Sequence, residues 1–241
     1  AQGTVSGPST VPAGTYSISI TATDSNGATS LPTSFSITID KAAPSIVFNS
    51  NAPTDAKVGG SYTVLATPGA SSSALTLEAS GSCSIAGNTV TFNAAGPCTI
   101  TAKQLGDTNY LDAVPATQTV TVAQAASGVN ISSTPNPSQP GQAVTFTVSV
   151  ALDTTKTAAL KTKAAPVPTG TVSISDNGTV LGSAPLVNGV ASVSTQLLTT
   201  AGSHSIVATY SGDANYPATQ SAALIQTVAA AVATPVPTLN E

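Results

Sequence analysis

Along this 241-residue chain, runs in which β-branched or aromatic residues alternate with Ser and Thr recur again and again. The cleanest is Ala143-Val144-Thr145-Phe146-Thr147-Val148-Ser149-Val150. A period of two puts every second side chain on one face, so these runs predict half-buried β-strands. In the C-terminal half, strands are predicted over Val129 to Ser133, Ala143 to Val150, Gly170 to Ser175, Thr179 to Leu181, Val190 to Ser194, the run around His204 to Ala208, and Ala222 to Val228. Asp176-Asn177-Gly178 and Asn188-Gly189 fall between runs, where Asn-Gly tolerates the positive φ of a tight hairpin. The middle of the chain predicts strands over Ser45 to Phe48, Ser61 to Ala66, Leu75 to Glu78, Ser84 to Ile85, Thr89 to Phe92, Cys98 to Ala102 and Thr117 to Val122, with a turn at Gly87-Asn88. No stretch carries the 3.6-residue period of a helix.

About seven short strands per ~100 residues is the arithmetic of an immunoglobulin-like sandwich. The expected fold is all-β: tandem immunoglobulin-like β-sandwiches over residues 44–124 and 128–229, joined by short linkers at Lys41 to Pro44 and Gln124 to Gly128. Residues 1–41 differ. Gly14 to Thr21 aligns with Gly96 to Ile100 and with Gly202 to Ile206, Asp24 to Gly27 reads as a turn, and Ser34 to Ile39 as a final strand. These are the last strands of a sandwich, so the expectation is an incomplete N-terminal half-domain that something else completes. Residues 230–241 form a tail.

One phrase occurs twice. Gly106-Asp107-Thr108-Asn109-Tyr110 returns as Gly212-Asp213-Ala214-Asn215-Tyr216, a period of 106 residues, each time between two predicted strands. A repeat of that length is one small β-domain. The phrase reads as a turn whose Asp and Asn satisfy local backbone groups and whose Tyr anchors the loop to the core. Calcium is the rival, and it wants six to eight oxygens where Asp107 with Asp112, or Asp213 alone, supply few carboxylates. No metal or cofactor is expected.

Charged residues make up 7% of the chain, with a net charge of −4. All six cations are Lys, which argues against a nucleic-acid partner, since phosphates need clustered cations. No apolar run approaches the ~18–20 residues of a membrane span. Alternating strands argue against disorder. Cys83 and Cys98 bracket the Gly87-Asn88 hairpin. Two thiols in a Ser/Thr-rich β-protein favour a disulfide and an oxidising compartment over free buried thiols. A metal site would need ligands that two Cys without a nearby His do not supply. The sequence opens on Ala1 without a leader, which reads as a processed start or a start within a longer protein.

With these residues in view, Tyr210 to Tyr216 resembles the Tyr-Ser-Gly-Asp-Ala-Asn-Tyr phrase of bacterial Ig-like repeats. Gly81 to Ile85 with Cys98 to Ile100 is similar to the Gly-Ser-Cys-Ser-Ile…Cys-Thr-Ile core of a related bacterial repeat. Gly14-Thr15-Tyr16 and Thr21 to Ala28 resemble the back half of Ig repeats in large surface proteins. The ending Val236-Pro237-Thr238-Leu239-Asn240-Glu241 is similar to the start of a Gram-negative C-terminal sorting signal, Ile-Pro-Thr-Leu-Ser-Glu-Trp. The resemblance implies an exported protein of a Gram-negative cell surface whose anchor has been removed.

Catalysis finds little support. His204 is the one histidine, and it shares its place, two residues after a Gly, with Cys98 and Tyr16. A position that accepts His, Cys and Tyr is a packing position rather than a general base. Lys156, Lys161 and Lys163 cluster in a long loop that would suit an anionic cell-surface polysaccharide, or is simply a solvated insertion. The expected function is therefore non-enzymatic: an extracellular stalk or fibre subunit. It would self-associate if the half-domain accepts a strand from another copy. The apolar tail, with Ala229, Val232, Val236 and Leu239, is the candidate donor. The alternative is a membrane-proximal segment of a large adhesin, or an accessory carbohydrate-binding module of a secreted enzyme.

Overall fold

The computed structural model describes residues 11–153 and 165–230. The three Lys of the long loop, and Val232, Val236 and Leu239 of the tail, lie outside the described residues. Within them the chain is all-β, as its alternation predicts, with eighteen strands and no helix.

The third segment is an eight-stranded sandwich. One sheet contains β11 (Ser127–Thr134), β12 (Val144–Leu152) and β15 (Val190–Thr195) in that order. The other runs β14 (Thr179–Pro185), β13 (Thr171–Asp176), β16 (Gly202–Tyr210) and β17 (Thr219–Gln220), with β18 (Leu224–Val228) also on β16. The alternation sets the packing: Val144, Phe146, Val148 and Val150 point inward and meet Val172, Ile174, Ile206, Ala208 and Tyr210 from the facing sheet. Asn177 and Gly178, at φ 46° and 88°, turn the β13–β14 hairpin, and Asn188 and Gly189, at φ 51° and 76°, make the next turn.

The second segment contributes β3 (Val47–Phe48), β4 (Ser61–Thr63), β5 (Ala66–Thr67), β6 (Leu75–Gly81), β7 (Cys83–Ala86), β8 (Thr89–Phe92), β9 (Gly96–Gln104) and β10 (Ala116–Val122). They form smaller sheets, in the orders β10-β9-β6, β4-β8-β7 and β3-β5. The strand expected over Ser61 to Ala66 is two strands. Val64 N turns to Asn88 O, and buried Val64 fills the core while Leu65 lies exposed. Cys83 and Cys98 form a disulfide with Cα atoms 5.4 Å apart, inside a core that includes Val58, Val90, Phe92, Ile100 and Val120.

The first segment contributes β1 (Gly14–Ile20) and β2 (Thr33–Ile39), paired only with each other among the described residues. The pairs Tyr16–Ile37 and Ile18–Phe35 lie on one face, and Thr15–Thr38 and Ser17–Ser36 on the other. The apolar face is open: Phe35 is 41% exposed and Ile20 53%.

The strand pair β1–β2 repeats in register through the chain. Gly14 pairs with Ile39, Gly96 with Val122, and Gly202 with Val228. All three glycines have positive φ (155°, 128° and 133°), the conformation that exempts glycine from a steric penalty. One expectation needs correction. Ala229, the first residue of the expected donor tail, is held in its own segment: it follows β18, which is bonded along its length to β16, and its N donates to Ser138 O at 2.7 Å. Whatever the tail can donate begins after Ala229.

Candidate functional site

The repeated loop is a densely hydrogen-bonded polar constellation, and its two copies are built alike. Asp107 Oδ1 accepts from Asn109 N (2.8 Å) and Tyr110 N (3.0 Å), and Asp213 Oδ1 from Asn215 N (2.7 Å) and Tyr216 N (2.9 Å). The other carboxylate oxygen grips a neighbouring turn. Asp107 Oδ2 accepts from Ser72 N and Oγ at 2.7 and 2.9 Å, and Asp213 Oδ2 from Thr169 N and Oγ1 at 2.7 and 3.0 Å. Each Asp N–H closes the turn on the Tyr carbonyl.

Both carboxylates are thus fully engaged by donors of their own chain, which is why they are held ionised. The backbone N–H of Ser72, then that of Asn109, keeps Asp107 well below the usual carboxylate range. For Asp213, burial pushes upward, but the bonds from Thr169, Asn215 and Tyr216 outweigh it and the net shift is downward. Among the described residues no group of three or more His, Cys, Asp or Glu comes together as a metal site.

The glycine that opens each loop is required by space. A Cβ on Gly212 would come within 2.6 Å of Ala218 N, and one on Gly106 would collide with the Tyr110 carbonyl. Tyr216 is buried and donates its hydroxyl to Pro166 O at 2.7 Å. Tyr110 is only half-buried.

The asparagines depart from the expectation of a purely local turn, because they reach into the preceding segment. Asn109 Oδ1 accepts from Ala13 N at 2.9 Å, and Asn215 Oδ1 from Ala95 N at 3.0 Å. Their carbonyls accept from the linkers, Ala42 N to Asn109 O and Ala125 N to Asn215 O, both at 3.0 Å. The residue before each linker alanine adds a side-chain bond. Lys41 Nζ donates to Asp107 O at 2.6 Å, and Gln124 Nε2 to Asp213 O at 2.8 Å. Leu111 N also donates to Ala42 O at 2.9 Å; Pro217 stands at the matching place and has no N–H to give. The phrase is therefore a clamp between consecutive segments, made twice with the same atoms.

His204 sits beside this register, two residues after Gly202. Its Nδ1 lies 2.6 Å from Asp176 Oδ2 and its Nε2 2.8 Å from Thr200 O. Both partners accept, so the doubly protonated ring satisfies both, and the hydrogen bond to Asp176, then that to Thr200, raises its pKa. The nitrogen that a general base would turn to a substrate is spent on a backbone carbonyl. Tyr16 does the same job in the first segment, donating to Pro12 O, also four residues earlier, at 2.7 Å.

Sequence reasoning also missed two buried amides. Gln104 Nε2 donates to Ser71 O and Ser73 O, and Gln226 Nε2 to Pro135 O, each pinning a loop to a strand. An isolated Gln in an alternating run gives no sign that it faces inward.

No curated protein matches the chain. Among solved structures it aligns with the Escherichia coli adhesin FdeC at 15% identity, over 85% of this chain and 71% of that one, with a TM-score of 0.36. The Clostridium thermocellum CbhA fibronectin(III)-like modules align at 16% identity over 76% of this chain and 94% of theirs, TM-score 0.32. The Yersinia pseudotuberculosis adhesin InvE aligns at 12% identity over 77% of this chain and 58% of its own, TM-score 0.34. Residues 131–229 match the family model of the bacterial Ig-like domain (group 3).

Proposed function

We propose that the chain is a non-enzymatic, extracellular structural segment of a bacterial surface protein, a stalk in which Ig-like units follow one another in tandem. The observation that carries this reading is the clamp. The repeated loop spends its carboxylates on shaping itself, and its Asn side-chain oxygen and backbone carbonyls on the preceding segment. Short linkers with side chains bonded across them restrict inter-unit motion, which is what a spacer needs. The disulfide supports an oxidising compartment outside the cytosol. Small-angle scattering tests this: the stalk reading predicts an elongated particle whose length is unchanged by salt, and a collapsed or variable particle sinks it.

The open apolar face of β1–β2 supports a finer reading, in which strands from another copy complete the first segment. Head-to-tail donation by residues 230–241 would be heterologous and would build a filament. Electron microscopy of the chain with and without residues 230–241 decides it: filaments lost on truncation support donation, and identical particles refute it. The second reading places the chain as a segment of a large adhesin or as an accessory module of a secreted enzyme, with β1–β2 covered by other parts of the same protein. The same exposed face favours it, and monomeric particles that bind no second copy would select it.

A further inference from the structure

The clamp has two halves. The loop half is Gly-Asp-x-Asn-Tyr. The receptor half belongs to the preceding segment. It consists of the N–H just before the positive-φ glycine, Ala13 or Ala95, and the residues just after that glycine's strand partner, Lys41-Ala42 or Gln124-Ala125. In both copies the linker alanine lies three residues after the partner of the glycine, Ile39 to Ala42 and Val122 to Ala125.

The third segment repeats part of the receptor half; the position three residues after Val228, matching Ala42 and Ala125, lies outside the described residues. Ala201 precedes Gly202, Gly202 has φ 133° and pairs with Val228, and the chain leaves β18 through Ala229 and Ala230. Among the described residues, however, nothing accepts from Ala201 N. Ala201 is exposed where Ala13 and Ala95 are half-buried.

We propose that this end of the third segment, Ala201-Gly202 with Val228 to Ala230, is a receptor for the Gly-Asp-x-Asn-Tyr loop of one further Ig-like unit, seated as the third segment seats on the second. The inference rests on reading the segments as tandem units. Continuity with two occupied joints selects the occupant. A second copy of this chain is a poor fit, because both of its loops are already engaged, and its remaining Asp24 turn lacks the Tyr. Ala230 has no long polar side chain to repeat the Lys41 and Gln124 bonds, so among the described residues this joint would rest on the Ala201 N–H and the incoming Asn. Such a contact is weak between free molecules and becomes effective when a linker supplies millimolar local concentration.

The test is amide exchange by NMR on the full chain and on the chain extended after Ala230 by a duplicate of its own residues 125–230. In the full chain, Ala201 N–H is expected to exchange fast and Ala95 N–H slowly. In the extended chain, Ala201 should slow by about tenfold, and changing the added unit's counterpart of Asn215 to Ala should restore fast exchange. A second measurement does not depend on the added unit folding: Asn215→Ala in the full chain should bring Ala95 to the exchange rate of Ala201. Three outcomes each overturn the proposal: an Ala201 amide already protected at low concentration, one unmoved by the extension, or an Ala95 amide indifferent to Asn215→Ala. Protection of Ala201 that appears only with rising concentration overturns it in favour of a second copy. Filament and scattering experiments bear on the stalk reading and leave these exchange rates untouched, so the two can fail separately.

Discussion

Asn215 Oδ1 accepts a hydrogen bond at 3.0 Å from the backbone N–H of Ala95, 120 residues earlier in the chain. Asn109 and Ala13 repeat the relationship at 2.9 Å across 96 residues. A side chain at a loop tip, in a motif that reads as a local turn, is in fact one of the contacts between segments. Its Asp neighbour shapes the loop and its Tyr roots it, which leaves the Asn free to face outward.

Asn215→Ala should therefore loosen the joint while sparing the folds on either side. Each core keeps its apolar burial, and a single hydrogen bond contributes ~0.5–1.5 kcal/mol. Spin labels placed on the second and third segments should give a broader distance distribution in the variant, with a melting temperature within a few degrees of the parent. A large drop in melting temperature would mean that the Asn holds a core and not a joint.

Gly212→Ala is expected to be worse than Asn215→Ala. The new Cβ would lie 2.6 Å from Ala218 N and would force a residue at φ 77° out of the region glycine favours. Strain of this kind costs about 1–3 kcal/mol. The loss should appear in urea unfolding of the third segment, with the second segment's transition unmoved.

Much of this was legible from the chain. Alternation located the strands, and Asn177-Gly178 and Asn188-Gly189 marked turns because positive φ at consecutive positions is a local demand that sequence must meet. The Gly-Asp-x-Asn-Tyr turn was legible for the same reason, since Asp107 and Asp213 bond within three residues. The partners of Asn109 and Asn215 were not. They lie 96 and 120 residues away, and no periodicity encodes which surface a loop meets. The break between β4 and β5 was hidden too, because Val64 and Leu65 continue an apolar run whose register shift is set by tertiary bonding to Asn88.

Within the third segment, Asp213 and His204 should act on stability with opposite sign. Asp213 is held below its ordinary pKa when folded, so the unfolded chain binds the proton more readily. Its contribution is present at neutral pH and is lost as pH falls through the carboxylate range. His204 is raised above 6.5 when folded, so its contribution is complete below 6.5 and is lost as pH rises through the higher folded value. Melting temperature against pH should fall on the acid side less steeply in Asp213→Asn. In His204→Gln the decline above pH 6.5 should flatten. A His204→Gln profile parallel to the parent would mean that the Asp176 contact is absent in solution.

Reducing the disulfide should act on the second segment alone. Cys83 and Cys98 close a separation of 15 residues, for which the chain-entropy model gives about 3 kcal/mol. The bond ties β7 to β9, strands in different sheets of a segment with small sheets, and both sulfurs lie in its core. The third segment has no cysteine, and at the matching position His204 bonds to Asp176 instead. Calorimetry with and without reductant should therefore show one transition moving down and one standing still. Cys83→Ser/Cys98→Ser should move the same transition at least as far, because it also buries two hydroxyls in a core that includes Val90, Phe92 and Ile100. If both transitions move together, the clamp at Asn215 couples the two segments into one cooperative unit, and Asn215→Ala added to the reduced protein should then separate them.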